Sequence, residues 1–100
     1  MEITLTGQEK FQKNNAAYFQ CYYRDQVSTL TDPTSPTYLI TDINGATITS
    51  GTPTKKSTGL WYLFWEPTAT GDFVITFGGT IDGDSVKIRR KFKVIETELV

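Results

Sequence analysis

The chain has 100 residues, ten of them basic and eleven acidic, for a net charge of −1; it holds one cysteine and no histidine. A balance this close to neutral excludes a body shaped all round as an electrostatic glove for nucleic acid. One cysteine excludes an intrachain disulfide, and the missing histidine removes the common zinc sites and the Cys–His and Ser–His nucleophiles.

The length suits one domain, 1–100, able to bury about 60–70% of its unfolded surface, so the fold is expected to stand on packing alone. No run approaches the roughly 18 apolar residues of a membrane helix. The opening Met-Glu-Ile-Thr-Leu-Thr-Gly has neither the basic start nor the apolar stretch of a signal peptide, and no Asn-x-Ser/Thr acceptor occurs. These features point to a reducing compartment.

Apolar residues recur with period two, and no stretch shows helical i, i+3, i+4, i+7 spacing. Seventeen threonines and thirteen aromatics favour pleated, half-buried surfaces. Strands are predicted at 2–6, with a continuation at 10–13, then at 17–24, 37–43, 46–50, 60–66, 72–78 and 86–95. Seven strands at this spacing predict an all-β, immunoglobulin-like antiparallel sandwich. Asp32-Pro33 and Ser35-Pro36 break the chain after the second strand, and Asn44-Gly45 predicts a two-residue type I′ hairpin. Residues 51–58 read as a polar loop or weak edge, and Asp82-Gly83-Asp84 as a tip between the last two strands.

Alternation predicts the faces. Phe19 and Cys21 point inward with Ala17 and Tyr23, while Tyr18, Gln20 and Tyr22 point outward. Trp61, Leu63 and Trp65 are expected in the core, and Tyr62 and Phe64 on the opposite side. A strand apolar on both faces is central, or has one face covered by a partner. Phe73, Ile75 and Phe77 face in, as do Phe92 and Val94, whose face Arg90 interrupts. Lys87, Arg89, Lys91 and Lys93 line the other side of the last strand.

That stripe suits an acidic partner or a phosphate backbone, although the simplest reading is a solvated strand face whose lysines blunt an edge. Tyr62 and Phe64 are the sharpest apolar candidates for a contact, followed by Tyr18 and Tyr22. Asp82 and Asp84 fall far short of the six to eight oxygens calcium wants, so a plain turn is expected. Asp25, Asp32 and Asp42 are scattered loop acids with no paired acid/base geometry. Cys21 reads as a small buried hydrophobe. No catalytic residue, metal or cofactor is predicted.

Several segments together resemble a family. Asp-Pro-Thr-Ser-Pro-Thr (32–37) and Ile-Thr-Asp-Ile-Asn-Gly (40–45) look like the turns of small Ig-like modules. Residues 57–73 are similar to their Gly-x-Tyr … Trp-x-Pro … Gly-x-Tyr/Phe signature, with Trp61 where Tyr is usual. Gly-Thr-Ile-Asp-Gly (79–83) and a closing Phe-Lys-Val (92–94) complete the pattern. Stand-alone domains of this kind resemble short Ig-like proteins encoded among phage head, neck and tail genes, with related modules in bacterial and archaeal surface proteins. The resemblance implies a non-enzymatic virion protein, assembled in the host cytoplasm with copies of itself or other structural proteins. Nucleic acid, membrane and small-molecule substrates are not expected partners. The alternative is an extracellular or cell-surface adhesion module, with sugar recognition as one possible task. The last strand runs into a tail, 96–100, available to extend into a neighbour.

Overall fold

A computed structural model describes residues 2–7 and 10–96, with Glu2 and Gly7 described by backbone alone. Nine strands form among these residues: β1 (Glu2–Gly7), β2 (Lys10–Gln12), β3 (Ala17–Arg24), β4 (Thr34–Asp42), β5 (Thr47–Gly51), β6 (Thr54–Ser57), β7 (Leu60–Trp65), β8 (Gly71–Ile81) and β9 (Asp84–Ile95). One sheet has the order β1-β3-β7-β6 and the other β2-β9-β8-β4-β5. Every pairing is antiparallel except that of β2 with β9.

Period-two patterning produces the two layers directly. In β3 the inward residues Ala17, Phe19, Cys21 and Tyr23 are fully buried, while the outward ones are half-buried between β1 and β7. Facing them from the other sheet are Ile40, Phe73, Ile75, Phe77, Ile81, Phe92 and Val94. One end of the core is aromatic: Phe92 lies 5.1 Å from Phe19 and stacks on Phe73 at 5.7 Å, and Phe11 meets both Phe19 and Phe92. The sheets are also tied by a hydrogen bond, the Tyr23 hydroxyl donating to the Gly78 carbonyl at 2.8 Å.

The structure differs from the sequence reading at three places, and decides between two readings at a fourth. Residues 10–12 do not continue the first strand; the chain changes sheet after Gly7, and Phe11 enters the core beside β9. Of the two readings of 51–58, the weak edge holds: Thr54–Ser57 is an edge strand paired with β7, with all four side chains exposed. Ser35-Pro36 lies inside β4 as a bulge with Ser35 at φ 52°, so Pro there kinks a strand without ending it.

The third difference is the Asn44-Gly45 hairpin. Only Gly45 has positive φ there, so the turn is not type I′. The Gly45 amide donates to the Asp42 carbonyl, and the ladder closes one residue later, from the Asp42 amide to the Ala46 carbonyl. That is a type I turn followed by a left-handed residue. The type I′ pattern falls instead between β8 and β9, where Asp82 and Gly83 both have positive φ and Ile81 pairs with Asp84. Residues 97–100 of the tail lie outside the described residues.

Candidate interaction surfaces

β7 is an inner strand of its sheet. Register with β3 sets Cys21 opposite Trp61, Phe19 opposite Leu63 and Ala17 opposite Trp65, which fixes those three on the core side. Trp61, Leu63 and Trp65 pack against the core but remain half-buried. The cause is β6, which is short and pairs with β7 only over Leu60, Trp61 and Tyr62. Beyond Tyr62, β7 is itself the sheet edge among the described residues. Trp65 still makes edge contacts with Phe73 at 5.7 Å and Phe92 at 5.8 Å.

On the outer face the same register puts Tyr18 opposite Phe64 and Gln20 opposite Tyr62. Tyr18, Tyr62 and Phe64 form one cluster, with centroids 4.6 Å (Tyr18–Phe64), 5.7 Å (Tyr62–Phe64) and 5.8 Å (Tyr18–Tyr62) apart. The Gln20 amide donates to the Tyr18 hydroxyl at 2.6 Å and fixes that ring. Phe64 is 59% exposed, an unusual position for a phenylalanine. Tyr22 does not join the cluster; it lies opposite Leu60 and carries the Arg24 guanidinium over its ring at 5.4 Å.

Lys87, Arg89, Lys91 and Lys93 are exposed on the outer face of the five-stranded sheet, and Lys10 joins them in register with Lys93. Arg89 borders two shallow hollows, one toward Asp72 and Lys91, the other toward Leu39, Thr41 and Thr76. Lys91 faces Asp72 across 3.9 Å, a loose surface pair. The cationic face and the aromatic cluster therefore sit on opposite sheets.

The loop acids, read from sequence as scattered, are turn caps. Asp25 Oδ1 accepts from the amides of Val27 and Thr29, and Asp42 Oδ1 accepts from those of Asn44 and Ala46. The two turns are one device used twice, with Ser28 (φ 64°) standing where Gly45 (φ 92°) stands in the other. A shared Asp-x-x-Ser/Gly spacing was the available signal. Asp32 accepts from the Gly59 amide at 2.9 Å and pairs with Lys55 at 2.6 Å, clasping the β3–β4 loop to the β6–β7 turn. The Gly59 amide, then Lys55, holds its carboxyl below the usual range. Nearby, the buried Trp61 indole N–H makes no well-formed hydrogen bond, yet it lies close enough to the Asp32 carboxylate to help hold it ionised.

Cys21 is buried, and burial pushes its thiol up to about 12. Burial likewise raises Tyr23, so both stay neutral at ordinary pH. Among the described residues no three His, Cys, Asp or Glu side chains gather in a way that would hold a metal ion. No described helix is long and apolar enough to cross a membrane.

Comparison with solved structures settles the fold. The chain is similar to the crystal structure of the Lin-41 filamin domain, with a TM-score of 0.74 over 95% of this chain and 93% of that one. The chain has an immunoglobulin-like fold. At 14% identity the likeness establishes the architecture and nothing of a partner. No family model matches the sequence, and no curated protein matches it significantly. Within the immunoglobulin-like frame, the sheet of β1, β3, β7 and β6 carries the aromatic surface and the sheet of β2, β9, β8, β4 and β5 the basic one.

Proposed function

We propose that this immunoglobulin-like domain is a non-enzymatic assembly module, serving as a structural or accessory part of a virion head, neck or tail. It works by protein–protein contact with copies of itself or with other structural proteins. The observation that carries this reading is the Tyr18–Tyr62–Phe64 cluster, aromatic surface on the outside of a sheet whose core is already filled. Covering a ring such as Phe64 yields about 1.5–3 kcal/mol, and a symmetric contact counts it twice. Aromatic rings with a polar tip are the preferred anchors of such contacts. A filamin-type immunoglobulin-like fold is typically non-catalytic, which agrees with this reading.

Ring geometry favours protein over sugar as the occupant. A sugar platform needs coplanar, open ring faces, whereas these rings meet at 40°, 65° and 75° and use their faces on one another. The test is sedimentation equilibrium of the wild type and of Phe64→Glu, with purified particles assayed for the chain. Concentration-dependent association lost in Phe64→Glu, and a stoichiometric presence in particles, are the expected results. A chain that stays monomeric, is absent from particles and binds a defined sugar would replace this reading with the adhesion module.

A further inference from the structure

The outer face of the five-stranded sheet is sorted by charge. Lys87, Arg89, Lys91 and Lys93 stand on it at alternate positions of β9, about 6.8 Å apart. Lys10 continues the row in register with Lys93. Among described residues this face sets five cations against the single acid Asp72. The rest of the sequence sets five cations against ten acids. Beside the row runs an uncharged strip. Thr76 and Val74 of β8 stand opposite Arg89 and Lys91, and Leu39 and Thr41 of β4 stand beyond them. Leu39 and Val74 are half-buried, and the hollow between this strip and the cations is lined by Lys87 and Arg89.

Whatever covers a sheet face must satisfy its own backbone, because a face presents side chains and no main-chain ladder. An extended segment laid flat there leaves its N–H and C=O groups without protein partners. A helix bonds its own backbone, which is why helices are the usual cover of a sheet. The spacing also fits. Three acids at i, i+4 and i+8 of a helix span about 12 Å, against about 14 Å from Lys87 to Lys91. Flexible lysine and arginine stems take up the difference. Apolar residues at i+3 and i+7 form the adjoining stripe of such a helix, on the side of Leu39 and Val74.

We infer that this face docks an amphipathic acidic helix of another protein, lying along β8 with its carboxylates toward Lys87, Arg89 and Lys91 and its apolar side chains over Leu39 and Val74. A second copy of the chain is not the occupant. Two such faces would set cation against cation, and the described acids form no complementary row. Asp25 and Asp42 cap turns, Asp32 pairs with Lys55 and Glu96 with Lys13, and Asp82 and Asp84 stand at the β8–β9 turn. Single-stranded nucleic acid is disfavoured, since it needs aromatic stacking partners and the strip offers Leu39, Thr41, Val74 and Thr76. Asp72 lies 3.9 Å from Lys91 and competes with the incoming carboxylates.

The probe is the peptide acetyl-(Glu-Ala-Gln-Leu)4-amide, titrated into the intact domain to millimolar concentration at low salt and followed by NMR. Shifts centred on Leu39, Val74, Thr76, Lys87, Arg89 and Lys91 are expected. Affinity is expected to fall about tenfold in Lys87→Glu/Arg89→Glu and to rise about two- to fivefold in Asp72→Asn. Lys87 and Arg89 are solvent-exposed, and circular dichroism checks that each variant keeps its fold. A peptide with proline at a central alanine cannot hold the helix and must bind far more weakly. Three results would overturn the inference: no binding by the acidic peptide, equal binding by its proline form or by a form with Gln for every Glu, or the same shifts with a DNA duplex. None of these bears on the aromatic cluster, which lies on the other sheet.

Discussion

Replacing Tyr23 with phenylalanine removes one oxygen from between the two sheets and leaves the ring in place. The hydroxyl is fully buried and donates to Gly78 at 2.8 Å. A net hydrogen bond is worth about 0.5–1.5 kcal/mol, and stripping a partner from a buried carbonyl raises the cost toward about 3. A loss of about 1.5 kcal/mol is expected at pH 7, or a fall in Tm of about 6–12 °C for a domain of this size. Urea and thermal unfolding both read it. The pH dependence supplies a second, independent check. Burial raises the Tyr23 pKa in the fold above the ordinary tyrosine value of 10.0, so its contribution is complete below pH 10 and is lost as pH rises. Phenylalanine carries no such loss. At pH 11 the wild type forfeits about 1.4 kcal/mol through this one group, and the gap to Tyr23→Phe closes. Equal stabilities at pH 7, or a gap unchanged at pH 11, would refute the assignment of this bond as a tie between the sheets.

The remaining predictions concern packing, turns and the thiol. Trp65→Ala is expected to cost about 3 kcal/mol, the low end for a ring that is half-buried, and Phe64→Ala under about 1 in the isolated domain; urea midpoints compare them. Ser28→Gly relieves a left-handed serine and is expected to stabilise by about 0.5 kcal/mol, whereas Asp42→Ala removes two amide acceptors and costs about 1–2. Cys21 is expected to resist thiol reagents until the domain unfolds, and Tm to be the same with and without reductant. Its folded pKa of about 12 against the ordinary thiol value of 9.0 means stability present below pH 9 and eroding between pH 9 and 12, which an unfolding series in alkaline buffers measures.

The residues that announce themselves locally were legible in the sequence. The inward set Phe19, Cys21, Phe73, Ile75, Phe77, Phe92 and Val94 lies in the core because period two leaves one choice of face when the other side is polar. The cationic side of β9 follows from the same alternation. β7 is different: it is apolar on both faces, and only its register with β3 settles that the tryptophans turn inward while Tyr62 and Phe64 meet Tyr18 outside. Lys55 and its neighbours in β6 carry no apolar alternation, so that strand exists only because β7 offers it a ladder. Phe11 looked like an extension of the first strand; the switch of sheet after Gly7 is a tertiary decision, made by the space between Phe19 and Phe92. Sequence thus determined which side of each clearly amphipathic strand faces oil, through side-chain period and turn chemistry. Strand neighbours, and therefore the aromatic cluster, were decided by packing between residues far apart in the chain, on which local periodicity carries no information.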